Sequence, residues 1–177
     1  KIGIPKQCQI PDNNSTSEEY TDALKCEMET QRMSEEEPKL EVNLKIDRKI
    51  FSSIGYGMVI FIGISKDDDF SLLNKLATKI SKLRIFNDEF GKMNKNINEI
   101  NGEILLVSQF TLCADTKKGN RPSFIRAANP EYAIKIYNSF IGELNKIIST
   151  KIQTGKFGAD MKINLINDGP VTIILEN

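Results

Sequence analysis

Residues 104 to 112 read Ile104-Leu105-Leu106-Val107-Ser108-Gln109-Phe110-Thr111-Leu112. An apolar run of this length, rich in aliphatic side chains, predicts a strand, and its polar end presents hydroxyls, an amide and backbone N–H groups at a sheet edge. Ser and Thr at such a position have two uses. They satisfy neighbouring backbone groups, or they hold a ligand.

Upstream of this strand, Val42, Leu44 and Ile46 alternate with Glu41, Asn43 and Lys45 as in a half-buried strand, with Asp47-Arg48-Lys49 as its turn. A second strand pair is expected through Ile50 to Ile54, a turn at Gly55-Tyr56-Gly57 and the buried run Met58 to Ile64. Asp67, Asp68 and Asp69 stand where a helix start favours negative charge, and Leu72, Leu73, Leu76, Ile80 and Leu83 follow at helical spacing. The acids read as a helix cap rather than a metal site. A short strand near Leu83 to Phe86 and a polar turn through Gly91 complete the upstream half.

Downstream, Asn129 as cap and Pro130 at the first position open a second helix, with Ala133, Tyr137, Phe140, Leu144 and Ile147 along one face. Its aromatic residues belong to the core on this reading. Two closing strands, about 162 to 166 and 171 to 175, flank Asn167-Asp168-Gly169-Pro170 and predict a hairpin. The whole pattern predicts an α/β fold. We expect a compact single domain in which two main helices cover one side of a largely antiparallel sheet or barrel.

With 177 residues, 40% hydrophobic and 27% charged, the chain has the composition of one globular domain. No histidine occurs in it, which excludes Ser-His and Cys-His dyads, histidine-ligated metals and an imidazole general base. Cys8, Cys26 and Cys113 share no CxxC spacing and read as ordinary thiols, so neither a disulfide framework nor a metal is expected. The longest apolar run is too short for a bilayer, and Lys1-Ile2-Gly3 lacks a signal-peptide pattern; a soluble cytoplasmic protein is expected.

Residues 1 to 41 carry five bases against ten acids, although the net charge of the chain is zero. The remainder is mildly basic, which permits a polyanionic substrate without requiring one. Pro5, Pro11, the run Asp12 to Ser17 and Glu35-Glu36-Glu37 disfavour a packed core. We therefore divide the chain into an acidic amino-terminal extension, residues 1–40, and a folded domain, residues 41–177.

Two motifs in this order, Ser108-Gln109-Phe110-Thr111-Leu112 and Asn167-Asp168-Gly169-Pro170-Val171-Thr172, resemble the signatures of the D-aminoacyl-tRNA deacylases. The resemblance runs through Ile54-Gly55-Tyr56-Gly57, Lys66-Asp67-Asp68, Arg84-Ile85-Phe86, Gly119-Asn120-Arg121-Pro122-Ser123-Phe124 and Gly155-Lys156-Phe157-Gly158. It implies a homodimer that hydrolyses the ester of D-aminoacyl-tRNA at a site on the subunit interface, with no cofactor. Glycyl-tRNA is a further substrate that the resemblance leaves open.

Carried over residue by residue, the resemblance assigns Ser108, Gln109, Phe110 and Thr111 to the wall that holds the terminal adenosine and aminoacyl group. Gly169 and Pro170, joined by a cis bond and supplied by the partner subunit, form the opposite wall. Phe157 and Met161 line the pocket. The family's first strand carries Gln-Arg-Val; here an ungapped count puts Pro38 in the arginine's place, and Gln31-Arg32-Met33 restores the match by granting extra residues before Val42. That makes Arg32 a further candidate.

An aminoacyl ester is already activated and a ribose hydroxyl lies beside it, so positioning and oxyanion stabilisation without histidine are expected to suffice. Thr111 as a covalent nucleophile is disfavoured, because no adjacent base is evident in the sequence. The altered amino end leaves a second reading open, a catalytically silent nucleic-acid-binding dimer of the same fold.

Overall fold

The alternating segment forms β1 (Val42–Ile46), which turns back as β2 (Lys49–Ile54). Ile46 faces Lys49 across the hairpin. Between them Asp47 and Arg48 have φ of 49° and 64°, the left-handed pair that a two-residue type I′ turn requires. In this computed structural model residues 41–168 and 171–176 are described, so the extension, Arg32 and the Gly169-Pro170 pair lie outside the described residues.

β3 (Gly57–Ile62) does not pair with β2 as the sequence predicts. It runs parallel to β6 (Glu103–Ser108), which in turn runs parallel to β7 (Ile152–Thr154). The expectation of a largely antiparallel sheet is therefore corrected to a mixed architecture. Antiparallel pairing is confined to β2-β1-β8, where β8 is Lys162–Asn164, and to the small ribbon of β4 (Phe86–Asn87) and β5 (Met93–Lys95). The physical reason is the connections. Parallel neighbours need long crossovers, and α1 (Ser71–Lys82) and α2 (Pro130–Ile147) lie within the segments joining β3 to β6 and β6 to β7.

Gly55-Tyr56-Gly57 thus carries the chain from one sheet to the other. Glu103 ties it down: its carboxylate accepts the Gly55 N–H at 2.6 Å, and its own N–H donates to the Tyr56 carbonyl at 3.0 Å. A Cβ on Gly57 would stand 1.9 Å from the Glu103 carbonyl oxygen, so only glycine fits. The predicted closing hairpin is not formed either. β8 bonds to β1 instead, and residues 171–176 are not a strand.

β6 lies between two layers. Ile104 and Leu106 pack with Leu73, Ala77 and Ile80 of α1 and with Ile136, Tyr137, Phe140 and Leu144 of α2. Leu105 and Val107 point the other way, into a cluster with Leu44 and Ile54 of the β1-β2 hairpin. Successive strand residues face opposite sides, so a strand covered on both faces must be apolar throughout. The helices occupy one side of the sheet, as the sequence predicts.

Both helix starts follow from local chemistry. Asn129 accepts the Tyr132 N–H at 2.9 Å, and Pro130 fills the first position of α2, where no N–H is needed. At α1 the Asp69 carboxylate accepts the Ser71 N–H at 2.7 Å, and its two bonds from Ser71 hold that carboxyl below its ordinary range. Among the described residues, no helix is long and apolar enough to cross a membrane.

Candidate active site at the end of β6

β6 stops at Ser108, and the Gln109 N–H makes one more bond, to the Ile62 carbonyl at 2.8 Å. The backbone then tightens into a 3-10 turn over Phe110–Cys113, closed by bonds from Leu112 N to Gln109 O and from Ala114 N to Thr111 O. The turn lies against the end of β3 because Gly63 has no side chain. A Cβ there would stand 2.8 Å from Leu112 Cβ and 3.2 Å from the Gln109 carbonyl oxygen. Gly63 was not among the sequence-based candidates, yet a glycine breaking an apolar strand run is a signal of close backbone approach.

Within the turn, the Gln109 side-chain amide donates to Thr111 Oγ1 at 2.6 Å. That bond uses an acceptor site of the hydroxyl and leaves its hydrogen available to a ligand. Among the described residues, neither the Phe110 nor the Thr111 N–H has a hydrogen-bond acceptor. Two adjacent donors at the start of a helical turn are suited to an oxyanion. Nothing titratable bonds to Thr111 Oγ1 among the described residues.

The Phe110 ring meets Phe124 edge to face, with centroids 5.0 Å apart, and Phe110 is 59% exposed. A short bridge between Asp115 and Ser123, with backbone bonds of 2.8 and 2.9 Å, returns the chain to bring Phe124 there. Phe124 belongs to the Gly119–Phe124 motif but was not a sequence-based site candidate. Only the fold brings the two rings together.

Cys113 is no competing nucleophile. Burial pushes its thiol up, Asp68 adds to the shift, and Arg126 opposes it, so little thiolate forms near neutral pH. Ser108, Gln109, Phe110 and Thr111 are contiguous at the end of β6, whereas Phe157 and Met161 sit in different layers. Phe157 packs on the helix side, its ring 5.9 Å from that of Tyr137. Met161 packs on the hairpin side with Leu44 and Val107.

The link between these layers is the Leu106 carbonyl, which accepts the Tyr137 hydroxyl at 2.8 Å and the Gly155 N–H at 2.9 Å. Burial pushes the Tyr137 hydroxyl up to about 12, with the Gly155 N–H opposing the shift. Tyr137 is thus a neutral core donor, as its place on the apolar face of α2 predicts.

Comparison with known proteins agrees with the motifs. The family model for D-Tyr-tRNA(Tyr) deacylase matches residues 38–176. The D-aminoacyl-tRNA deacylase of Flavobacterium psychrophilum is 52% identical over 137 residues, covering 77% of this chain and 91% of that protein. The same enzyme of Bacteroides thetaiotaomicron is 52% identical over 134 residues, 76% of this chain and 89% of its own.

Among solved structures, one named "c-Myc DNA Unwinding Element Binding Protein" superposes with a TM-score of 0.74 at 41% identity, covering 78% of this chain and 93% of that one. Another, described as a probable eukaryotic D-amino acid tRNA deacylase, reaches 0.64 at 15% identity over 73% of this chain and 90% of its own, and so speaks for the fold alone. With the family model matching residues 38–176, both motifs included, and relatives 52% identical over about three quarters of the chain, the chain belongs to the D-Tyr-tRNA(Tyr) deacylase family.

Proposed function

We propose that this protein hydrolyses the ester bond of D-aminoacyl-tRNA, releasing D-amino acid and tRNA as a step of translation quality control in the cytoplasm. The observation that carries the reading is the turn after β6, where two N–H groups without acceptors among the described residues stand beside a Thr111 hydroxyl oriented by Gln109. Water attacks the ester carbonyl, the oxygen of that carbonyl gathers charge against the Phe110 and Thr111 N–H groups, and the ribose oxygen leaves with a proton. Loss of one such donor typically costs about a hundredfold to a thousandfold in rate. The exposed Phe110 ring, buttressed by Phe124, offers a stacking face for the terminal adenine.

In the same reading Gly169 and Pro170 of a partner subunit close the pocket. Their wall excludes an L side chain while a D side chain points away; Phe157, Met161 and Arg32 are supporting positions. Glycine, with no side chain, passes the same test, so glycyl-tRNA is a further substrate of this site. A homodimer is supported by large apolar side chains left on the surface, among them Phe61 at 42%, Leu112 at 60% and Ile174 at 83% exposure. Residues 1–40 are an addition to the deacylase domain.

The second reading, a nucleic-acid-binding dimer without turnover, is favoured by the 41% identical structure, whose name is that of a DNA-binding protein. Purified protein incubated with D-tyrosyl-tRNA separates the two. Release of D-tyrosine with multiple turnovers supports the hydrolase; retention of intact D-tyrosyl-tRNA in a complex supports the binder.

A further inference from the structure

Two contacts fix how the β1-β2 hairpin runs along the sheet that carries the candidate site. Gly55, at the end of β2, is held to Glu103 at the start of β6. Further back along β2, the Ser52 hydroxyl donates to the Thr154 carbonyl at 2.6 Å, and Thr154 is in register with Leu106. Residue numbers therefore fall along β2 as they rise along β6. Continued in the same direction by the three residues from Ser52 to Lys49, the hairpin tip falls at about the level at which β6 gives way to the Gln109–Thr111 turn, on the β7 side of it.

At that tip, Lys45, Arg48 and Lys162 line a cleft of about 200 Å³ together with Asp47 and Asp160. Lys45 and Lys162 are cross-strand partners of β1 and β8, an arrangement of like charges that costs stability unless an anion lies between them. All three cations are exposed. None of them forms an ion pair among the described residues, although two carboxylates share the cleft.

We propose that Lys45, Arg48 and Lys162 seat backbone phosphates of the unpaired 3′ strand of tRNA as it leads the terminal adenosine into the turn after β6. The inference rests on the deacylase reading for its substrate, and it adds where the polyanion lies. Single-stranded nucleic acid is held by such cations through release of counterions, with a slope of log K against log salt of about −0.7 per neutralised phosphate. The Asp47 and Asp160 carboxylates weaken non-specific attraction, leaving affinity dependent on correct placement of each phosphate.

Binding of uncharged, end-labelled tRNA to the full chain tests the proposal apart from catalysis. In the variant Lys45→Gln, Arg48→Gln, Lys162→Gln, affinity should fall at least about tenfold near 100 mM salt, and the salt slope should become shallower by about 2. An equal charge loss on the opposite layer, Lys75→Gln, Lys79→Gln, Lys82→Gln in α1, should leave both quantities at the parent value. Parent-like affinity and slope in the hairpin variant, equal weakening in the α1 variant, or no salt-dependent binding by the parent would each overturn it. Failure of the deacylase reading would be seen separately, as no release of D-amino acid by the parent.

Discussion

Gln109 holds Thr111: its side-chain amide donates to Oγ1 at 2.6 Å, two residues along the same turn. The hydroxyl is thereby placed as a donor to a ligand, with no titratable group hydrogen-bonded to it among the described residues. Thr111→Ala should lower kcat about tenfold, the loss of one ordinary positioning bond. Mass spectrometry during turnover of the parent should detect no acyl group on Thr111. A trapped aminoacyl-Thr111 adduct would overturn this assignment.

The two glycines at the ends of β3 should fail differently. At Gly57 a Cβ would meet the Glu103 carbonyl oxygen at 1.9 Å, and backbone cannot yield that far, so Gly57→Ala should not fold. At Gly63 the nearest contact is Leu112 Cβ at 2.8 Å, with the Gln109 carbonyl at 3.2 Å. Gly63→Ala should cost about 1–3 kcal/mol of stability by overpacking and displace the turn that carries the site. A folded Gly63→Ala protein, judged by circular dichroism, should have at least about tenfold lower kcat; parent-like turnover would remove Gly63 from the account.

Much of this was legible in the sequence, and the failures have physical causes. Both helices were readable because their apolar faces recur every three or four residues and because Asn129-Pro130 marks a start. β1 was readable from its alternation. β6 carries no alternation, since Ile104 and Leu106 face the helices while Leu105 and Val107 face the hairpin, and such a run gives no clue to the direction of its neighbours. The sheet was therefore expected to be largely antiparallel. The strand pattern expected at residues 171–175 is not realised: these residues form no strand, and β8 takes β1 as its partner instead.

At the site, the polar end of β6 stood out in the sequence, and the resemblance singled out its residues. Gly63 and Phe124 escaped because their roles arise from contacts with residues distant in sequence. Phe124 reaches Phe110 only through the Asp115–Ser123 bridge. Phe157 and Met161 are close in sequence but pack in different layers, which no local pattern announces.

Tyr137 gives the fold a signature in alkali. Its hydroxyl, pushed up to about 12 from 10.0 by burial, keeps its proton in the folded state after the unfolded chain has lost it. Its contribution is full below about pH 10 and is lost as pH rises toward about 12. In Tyr137→Phe the Leu106 carbonyl keeps its bond from Gly155, so the loss at neutral pH should be only about 0.5–1.5 kcal/mol. Thermal melts across this range should show the gap between parent and variant narrowing as pH rises; a constant gap would contradict the shift.

The wall assigned to Gly169 and Pro170 makes a demand on stereochemistry, because exclusion of an L side chain needs no contact with a D side chain. Gly169→Ala should crowd the α-carbon of every substrate and reduce D-aminoacyl-tRNA hydrolysis at least about a hundredfold, close to 3 kcal/mol. Its Tm should stay near the parent's if the glycine serves the substrate rather than the fold. Full activity in the variant would remove Gly169 from the wall.

Hydrolysis with a choice of hand is read from the rates at which the purified protein deacylates D-tyrosyl-tRNA and L-tyrosyl-tRNA, charged on the same tRNA and followed under single-turnover conditions. D-tyrosine should be released rapidly, and the rate for the L ester should be lower by at least about a thousandfold, roughly 4 kcal/mol of discrimination. Equal rates for the two esters, or a D-tyrosyl ester that decays no faster than without protein, would contradict it.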